Sequence, residues 1–368
     1  MKISIVGSRG IPNKYGGFEQ FAEYFSKFLA NKNFNVTVYN THEHKVTNNT
    51  YKGVKIVNKW CPEKYLGPIA HIVYDYLCLK DAINSKSDIV LALGYHSNAL
   101  SYLILDCSKI NIISNMDGME WKRSKWNFLT KLFIKFTERI AVKSSNLLIS
   151  DNEGIREYFL KNYNKDSVMI PYGASIFHDE ERNILKEFKL KKLKYSIVIA
   201  RIEPENNIES IIKGFKNYKN RDEKLIIVGP KNSFSKKLYK KYKSNNIIFF
   251  GGIYNLQKLN HLRKNAKFYF HGHSVGGTNP SLLEAMSSSA LIVAHDNIFN
   301  KNILNNDALY FKNSNDIEKI LSYDQNELNR SEIIQNNLKK IKNIYDWEII
   351  NKKYLETINK VYLNDYKK

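Results

Sequence analysis

Short apolar runs alternate with amphipathic stretches along the whole chain, and this alternation restricts the fold more than any other feature. Residues 3–6 (ISIV), 36–39 (VTVY), 89–93 (IVLAL), 110–113 (INII) and 147–149 (LLI) read as strands. Stretches such as 18–30 and 72–83 between them read as amphipathic helices. Near-continuous apolar strands separated by helices imply a parallel sheet covered on both faces. The pattern then restarts, with strands at 196–200, 225–228, 247–250, 267–270 and 291–294. Helices are expected near 207–220, 234–243, 255–265 and 281–289. The junction falls in 168–195, where Pro171 and Gly173 punctuate the chain. The expected fold is α/β, with two doubly wound Rossmann-like domains facing a central cleft. Ligands of such folds sit at the carboxyl ends of the strands.

Length and composition agree with this. A chain of 368 residues exceeds what one hydrophobic core organises. With 43% hydrophobic and 25% charged residues, the chain is neither globally disordered nor collagen-like. Cys61, Cys78 and Cys107 have no metal-type or CxxC spacing, which suits a reducing compartment. The opening MKISIV is too short for a signal peptide, and no apolar run approaches the ~20 residues needed to span a bilayer. A cytoplasmic or surface-attached protein is expected. The formal net charge of +21 attracts nucleic acid, anionic lipid or phosphorylated small molecules. The basic residues are dispersed and no nucleic-acid module is recognisable, so no nucleic-acid partner is expected.

Four segments carry residues suited to chemistry. The first strand runs into GSRGIPNKYGGFEQ, where Gly7, Gly10, Gly16 and Gly17 lie in one loop before a helix. Glycines let backbone N–H groups approach an anion at a helix N-terminus. The spacing is not that of the dinucleotide fingerprint, and a plain strand-to-helix turn would look the same. The second segment, HGHSVGGTNPSLLEAMSSS (271–289), places Gly276, Gly277, Thr278 and Asn279 before a helix that Pro280 opens. Glu284 follows one turn inside a mostly apolar helix. A carboxylate there suits sugar or ribose hydroxyls, and a charge in such a run is seldom left unpaired. In the third segment, Arg201 follows strand 196–200 directly. A guanidinium there can clamp a diphosphate, or it can form an ion pair with Glu203 or Glu205.

The fourth segment is NMDGMEWKRSKWNFLTKLFIKFTERIAVKSS (115–145). Asp117 and Gly118 follow strand 110–113. From Trp126 the pattern is helical, with Trp126, Leu129, Phe133, Phe136 and Ile140 on one stripe. Lys131, Lys135 and Arg139 share another, and Trp121, Lys122 and Arg123 precede them. Basic aromatic helices can lie against anionic lipid, and a core-facing stripe with a solvated basic face is the other reading.

Taken together, GSRGIPNKYGGFE, MDGMEWKRSKW, IPYGA, ARIEPENN and HSVGGTNPSLLEAM resemble bacterial glycosyltransferase family 4 over essentially the whole chain and in the same order. The resemblance is strongest to a subgroup from capsule and cell-wall polysaccharide assembly, often described as rhamnosyltransferases. It implies a GT-B fold and retention of the anomeric configuration, with no metal and no other cofactor. It implies an acceptor-binding domain at 1–172, a nucleotide-sugar-binding domain at 173–345, and a C-terminal segment 346–368 that crosses back. In that segment the helix is expected at 346–362, with Asp346 as N-cap.

Carried over by motif, Glu284 meets the nucleotide ribose. Gly276 to Asn279 hold the donor sugar and phosphates, with His273 near the sugar. Arg201 clamps the diphosphate, and Gly16 and Gly17 close on the donor. Asp117 is the expected group at the acceptor hydroxyl. The wider family has a glutamate where Gly276 stands and a lysine where Asn206 stands, and Glu203 or Glu205 is the compensating carboxylate. The subgroup points to dTDP-rhamnose as donor, a lipid-linked saccharide as acceptor, and attachment to the anionic inner face of the cytoplasmic membrane through 125–143. A UDP- or GDP-sugar donor, or a related nucleotide-sugar epimerase, is the alternative.

Overall fold

The computed structural model describes the chain apart from residues 15, 45, 47, 117, 124–125, 179–183, 221, 325–328 and 364–368. It divides into two compact units. The first comprises Met1–Lys122, Trp126–Tyr172 and the segment from Trp347 onward, and the second comprises Gly173–Asp346 together with Arg123.

The first unit is built on an eight-stranded sheet: β1 (Lys2–Val6), β2 (Asn35–Thr41), β3 (Thr50–Tyr51), β4 (Val54–Lys59), β5 (Ile89–Leu93), β6 (Asn111–Asn115), β7 (Leu147–Ser150) and β8 (Val168–Met169). The spatial order is β3-β4-β2-β1-β5-β6-β7-β8. Neighbours are parallel except β3 against β4. Ile3 pairs with Val36 on one side and Ile89 on the other. Ile3, Ile5, Val38, Ile89, Leu91 and Ile113 are fully buried, as a sheet covered on both faces requires. Strand β4 has no continuous apolar run. Its Lys55 and Asn58 reach solvent while Val54 and Ile56 are buried, which is the pattern of a strand near a sheet edge.

The second unit has six parallel strands: β9 (Tyr195–Ile199), β10 (Lys224–Val228), β11 (Ile247–Gly251), β12 (Tyr269–His271), β13 (Ile292–His295) and β14 (Leu309–Phe311). Their order is β11-β10-β9-β12-β13-β14. Helix Ile208–Asn217 buries Ile208, Ile211, Ile212 and Phe215, one stripe at helical spacing. On the same helix Gly214 admits the helix Ser314–Leu321. A Cβ at Gly214 would come within 2.6 Å of both Ile317 Cβ and the Ser314 carbonyl.

The last helix, Trp347–Tyr362, buries Ile350, Tyr354, Ile358 and Val361 on one face. It packs within the first unit. The Tyr354 ring lies 4.5 Å from Phe21 and 5.3 Å from Phe25, and Trp347 stacks on Tyr24 at 4.5 Å. Asn115 Nδ2 at the end of β6 donates to the Tyr354 hydroxyl at 2.9 Å.

In each sheet the strand order reverses once, between β1 and β5 and between β9 and β12. Chain leaving the carboxyl ends of strands at such a reversal diverges to opposite faces and leaves a crevice. The loops after β1, β5, β9 and β12 therefore occupy the positions where this architecture holds ligands.

Candidate functional site

In the second unit, the loops after β9 and β12 are stitched to each other by their own backbones. Ser274 donates to the Glu205 carbonyl through both its N–H (3.0 Å) and its hydroxyl (2.8 Å). Asn207 Nδ2 donates to the Gly272 carbonyl at 2.8 Å, and Asn206 Nδ2 to the Arg201 carbonyl at 2.7 Å. The approach is so close that a Cβ at Gly272 would lie 2.0 Å from the Asn206 carbonyl oxygen. Asn206 is thus a buried brace of the Arg201 loop. Asn297 and Asn300, on the next loop and helix, each donate to the His273 carbonyl, at 3.0 and 3.1 Å. Arg201 is exposed at the end of β9. Glu203 Oε1 accepts from Asn232 at 3.3 Å. Glu205 is buried and lies 4.0 Å from Arg123.

Two histidines leave β12 in a stack, with the ring centroids of His271 and His273 4.4 Å apart. Burial holds His273 down to about 3, and the nearby Arg201 and Arg123 charges push the same way. Burial also holds His271 well below the usual imidazole range, helped by His273, Arg263 and His295. Both imidazoles are therefore neutral at physiological pH. His273 can act as a hydrogen-bonding group there but not as a positive charge.

Asn279 caps helix Pro280–Ser287 by accepting from the Ser281 N–H at 2.9 Å, and Pro280 occupies its first turn. Gly276 has φ of 129°, a conformation open to glycine and strained for other residues. A glutamate at that position would carry this strain, so the departure from the wider family pattern matches the local backbone. Glu284 accepts a 2.6 Å bond from Arg263. Arg263 also donates to Asn260 (2.7 Å) and to the Ser281 hydroxyl (3.1 Å). Nothing in the spacing of the sequence marks Arg263. It lies on another helix, Leu256–Asn265, and reads there as an ordinary solvated cation.

In the first unit, the loop after β1 packs tightly against its neighbours. Gly7 and Gly10 have φ of 86° and 126°. A Cβ at Gly7 would fall 2.3 Å from the Leu93 carbonyl, and one at Gly10 would fall 2.3 Å from Asn40. Gly16 precedes and Gly17 opens helix Gly17–Asn31, whose buried Glu19 accepts from the Arg9 N–H at 2.8 Å. Cys61, Glu63 and His71 bring potential metal-ligating atoms within 4.8 Å of one another. However, the Arg9 guanidinium lies 2.8 Å from Glu63 and 3.2 Å from His71 Nε2. A cation already opposes two of the three ligands, so the cluster fits an ion-pair network rather than a metal centre.

Asp117, expected at the acceptor, lies outside the described residues. Helix Phe128–Ser144 departs from the expected stripes. Its buried face is Ile134, Thr137, Glu138, Ile140 and Ala141, while Phe128, Leu129, Leu132 and Phe136 are at least half exposed. Lys135 does not belong to an open basic face. It pairs with the fully buried Glu138 at 3.7 Å and lies 4.1 Å from the Trp121 ring centroid. Three tyrosine hydroxyls, from Tyr95, Tyr158 and Tyr163, also donate to Glu138. A buried carboxylate needs such partners, and it draws Lys135 inward with them. Arg123 likewise leaves the expected lipid-facing set, since it clusters with the second unit beside Glu205. Trp126 is half-buried, its indole donating to Glu120 at 3.1 Å. Lys122, Lys143 and Arg139 are exposed.

Comparisons with known proteins agree with the two-unit reading. Residues 1–175 match a family described as a domain of unknown function, DUF1972, and residues 179–340 match glycosyl transferases group 1. The backbone superposes on sucrose-phosphate synthase from Thermosynechococcus elongatus with a TM-score of 0.81 at 12% identity, over 99% of each chain. It matches HepE of Anabaena, solved with UDP, with a TM-score of 0.74 at 14% identity, over 98% of this chain and 100% of that one. These define an α/β two-domain GT-B fold. An uncharacterized glycosyltransferase of Methanocaldococcus jannaschii is 25% identical over 328 residues, 80% of either chain. The second unit is thus similar to the group 1 glycosyltransferases over residues 179–340.

Proposed function

We propose that this glycosyltransferase moves a sugar, L-rhamnose from dTDP-rhamnose, onto a lipid-linked saccharide with retention and without a metal. The observation that carries the reading is the pair of mutually braced loops at the β9–β12 reversal. Those loops carry Arg201 and His273, and Gly276 to Asn279 lead into the helix that holds Glu284, which supports a shared donor site. In the reaction the bond from the anomeric carbon to the diphosphate oxygen breaks, and a bond to the acceptor oxygen forms. The acceptor's proton leaves with the departing phosphate oxygen. Negative charge grows on the diphosphate as the first bond lengthens, and Arg201 with the helix-terminal amides is suited to meet it. Neutral His273 is suited to hydrogen-bond the sugar, and Glu284 to accept from the nucleotide pentose, through the 3′-hydroxyl in dTDP and through both the 2′- and 3′-hydroxyls in UDP. Asp117 is assigned to the acceptor hydroxyl, and Gly16 and Gly17 to donor closure.

Among the described residues, no helix is long and apolar enough to cross a membrane. The exposed Phe128, Leu129, Leu132 and Phe136, with Lys122, Arg139 and Lys143, support peripheral attachment to an anionic inner membrane face, where a lipid-linked acceptor resides. A UDP-sugar donor is the second reading, favoured by HepE having been solved with UDP and with UDP-glucose.

Thermal shift with dTDP, dTDP-rhamnose, UDP, UDP-glucose and GDP tests the proposal. A ligand that binds only the native state raises the melting temperature. Stabilisation by the dTDP compounds alone supports rhamnosyl transfer. Stabilisation by the UDP compounds alone selects the second reading. No response to any nucleotide overturns the donor site. Arg201→Ala should weaken whichever response is seen by at least ~10-fold in affinity, the usual scale for a charge-assisted hydrogen bond.

A further inference from the structure

Arg263 is the most completely buried cation described in the second unit, with its side chain 1% exposed. It lies with its guanidinium 5.7 Å from the Tyr269 ring centroid. One terminal nitrogen donates to Asn260 at 2.7 Å. The other donates to the Ser281 hydroxyl at 3.1 Å and to Glu284 Oε2 at 2.6 Å. The Ser281 hydroxyl is itself held by Tyr269 at 2.8 Å. The guanidinium is thus fixed from three sides before it meets Glu284.

Its Nε is buried and has no hydrogen-bond partner among the described residues. Sealing a guanidinium in a core with one N–H unsatisfied is unfavourable, and an apolar side chain of similar volume would generally stabilise the fold as well or better. The pair is also lopsided: Glu284 keeps 19% exposure while Arg263 keeps 1%. A sealed cation aims a carboxylate that still reaches the surface, one turn inside the helix that opens beside the candidate phosphate loop. A flexible glutamate would lose its rotational freedom on binding a ligand, whereas this one has lost it on folding.

We infer that Arg263 is a positioning residue that presents Glu284 to the pentose of the donor nucleotide, and so sets how strictly the site demands its hydroxyls, the 3′-hydroxyl alone in dTDP and the 2′,3′-diol in UDP. The inference rests on the nucleotide-donor reading above. It makes Arg263 act through Glu284 and not on the nucleotide itself.

The test is calorimetric titration of the full chain with UDP and dTDP, each compared with its 2′,3′-dideoxy counterpart. Native protein should prefer the hydroxylated form of whichever nucleotide it binds by at least ~10-fold, the scale of a hydrogen bond to a charged group. Arg263→Met should shrink that ratio to within ~3-fold, as should Glu284→Gln, and combining the two should shrink it no further. Arg263→Lys, which keeps the buried charge, guards against a misfolded methionine variant. Lysine cannot hold Asn260, Ser281 and Glu284 in one planar fork, so it should lower the ratio by ~3-fold or more. A folded Arg263→Met or Arg263→Lys protein that keeps the native ratio overturns the inference while leaving the donor site standing. A native protein that binds nucleotides without any hydroxyl preference overturns the ribose role of Glu284, and this inference with it.

Discussion

Replacing Asp75 with asparagine should remove a pH-dependent loss of stability from the first unit. Asp75 lies on helix Ala70–Asn84 and is 2% exposed. The Ser97 hydroxyl is near one oxygen, and Oδ1 has no hydrogen-bond partner among the described residues. Burial raises its carboxyl from the usual 3.8 to about 7. The native state therefore holds a proton that the unfolded chain releases above pH ~4. The stabilisation is full below that pH and is lost as pH rises through about 7, the folded value. Between pH 5 and pH 8 the loss integrates to roughly 2–3 kcal/mol. All four tryptophans, Trp60, Trp121, Trp126 and Trp347, lie in the first unit. Urea unfolding followed by tryptophan fluorescence thus reports that unit directly. The stability of Asp75→Asn relative to the native protein should grow by roughly 2–3 kcal/mol from pH 5 to pH 8, the difference cancelling every other titrating group. A gap constant to within about 0.5 kcal/mol would refute a buried, protonated Asp75.

Two further outcomes follow from the first unit. Glu138→Ala should cost about 3–5 kcal/mol in the same urea assay, because it strands Lys135, the buried Tyr95 hydroxyl and the partly buried Tyr158 and Tyr163 hydroxyls; a loss below about 1 kcal/mol would count against the network. Phe128, Leu129 and Leu132 changed together to serine should lower cosedimentation with phosphatidylglycerol-containing vesicles by ~10-fold or more, given roughly 1.5–3 kcal/mol per buried large apolar side chain. Unchanged sedimentation would detach this helix from the membrane.

The alternation of apolar strands and amphipathic helices was readable because each strand is buried on both faces and so must be apolar throughout. This held for β1, β2, β5, β7 and β10, and it failed where burial is one-sided or the element is short. Thus β4 shows no apolar run because Lys55 and Asn58 face solvent, and β3, β8 and β14 show none because two or three residues cannot establish a period. The glycine-rich loops, Arg201, Pro280 and Glu284 were legible because their character is local: a conformation, a helix start or a charge in an apolar run.

What no local reading could supply is which distant side chains meet. Arg263 reads as one more basic residue until the packing of two helices brings it against Glu284. Lys135 shared a stripe with Lys131 and Arg139, yet burial of Glu138 turned it inward, since a buried carboxylate demands partners that a solvated one does not. Sequence alone determined the strand–helix alternation and the strand-end positions of the loops. Only the tertiary structure decided which strands adjoin, and hence that the loops after β9 and β12 meet, because parallel pairing is set by packing between segments far apart in the chain.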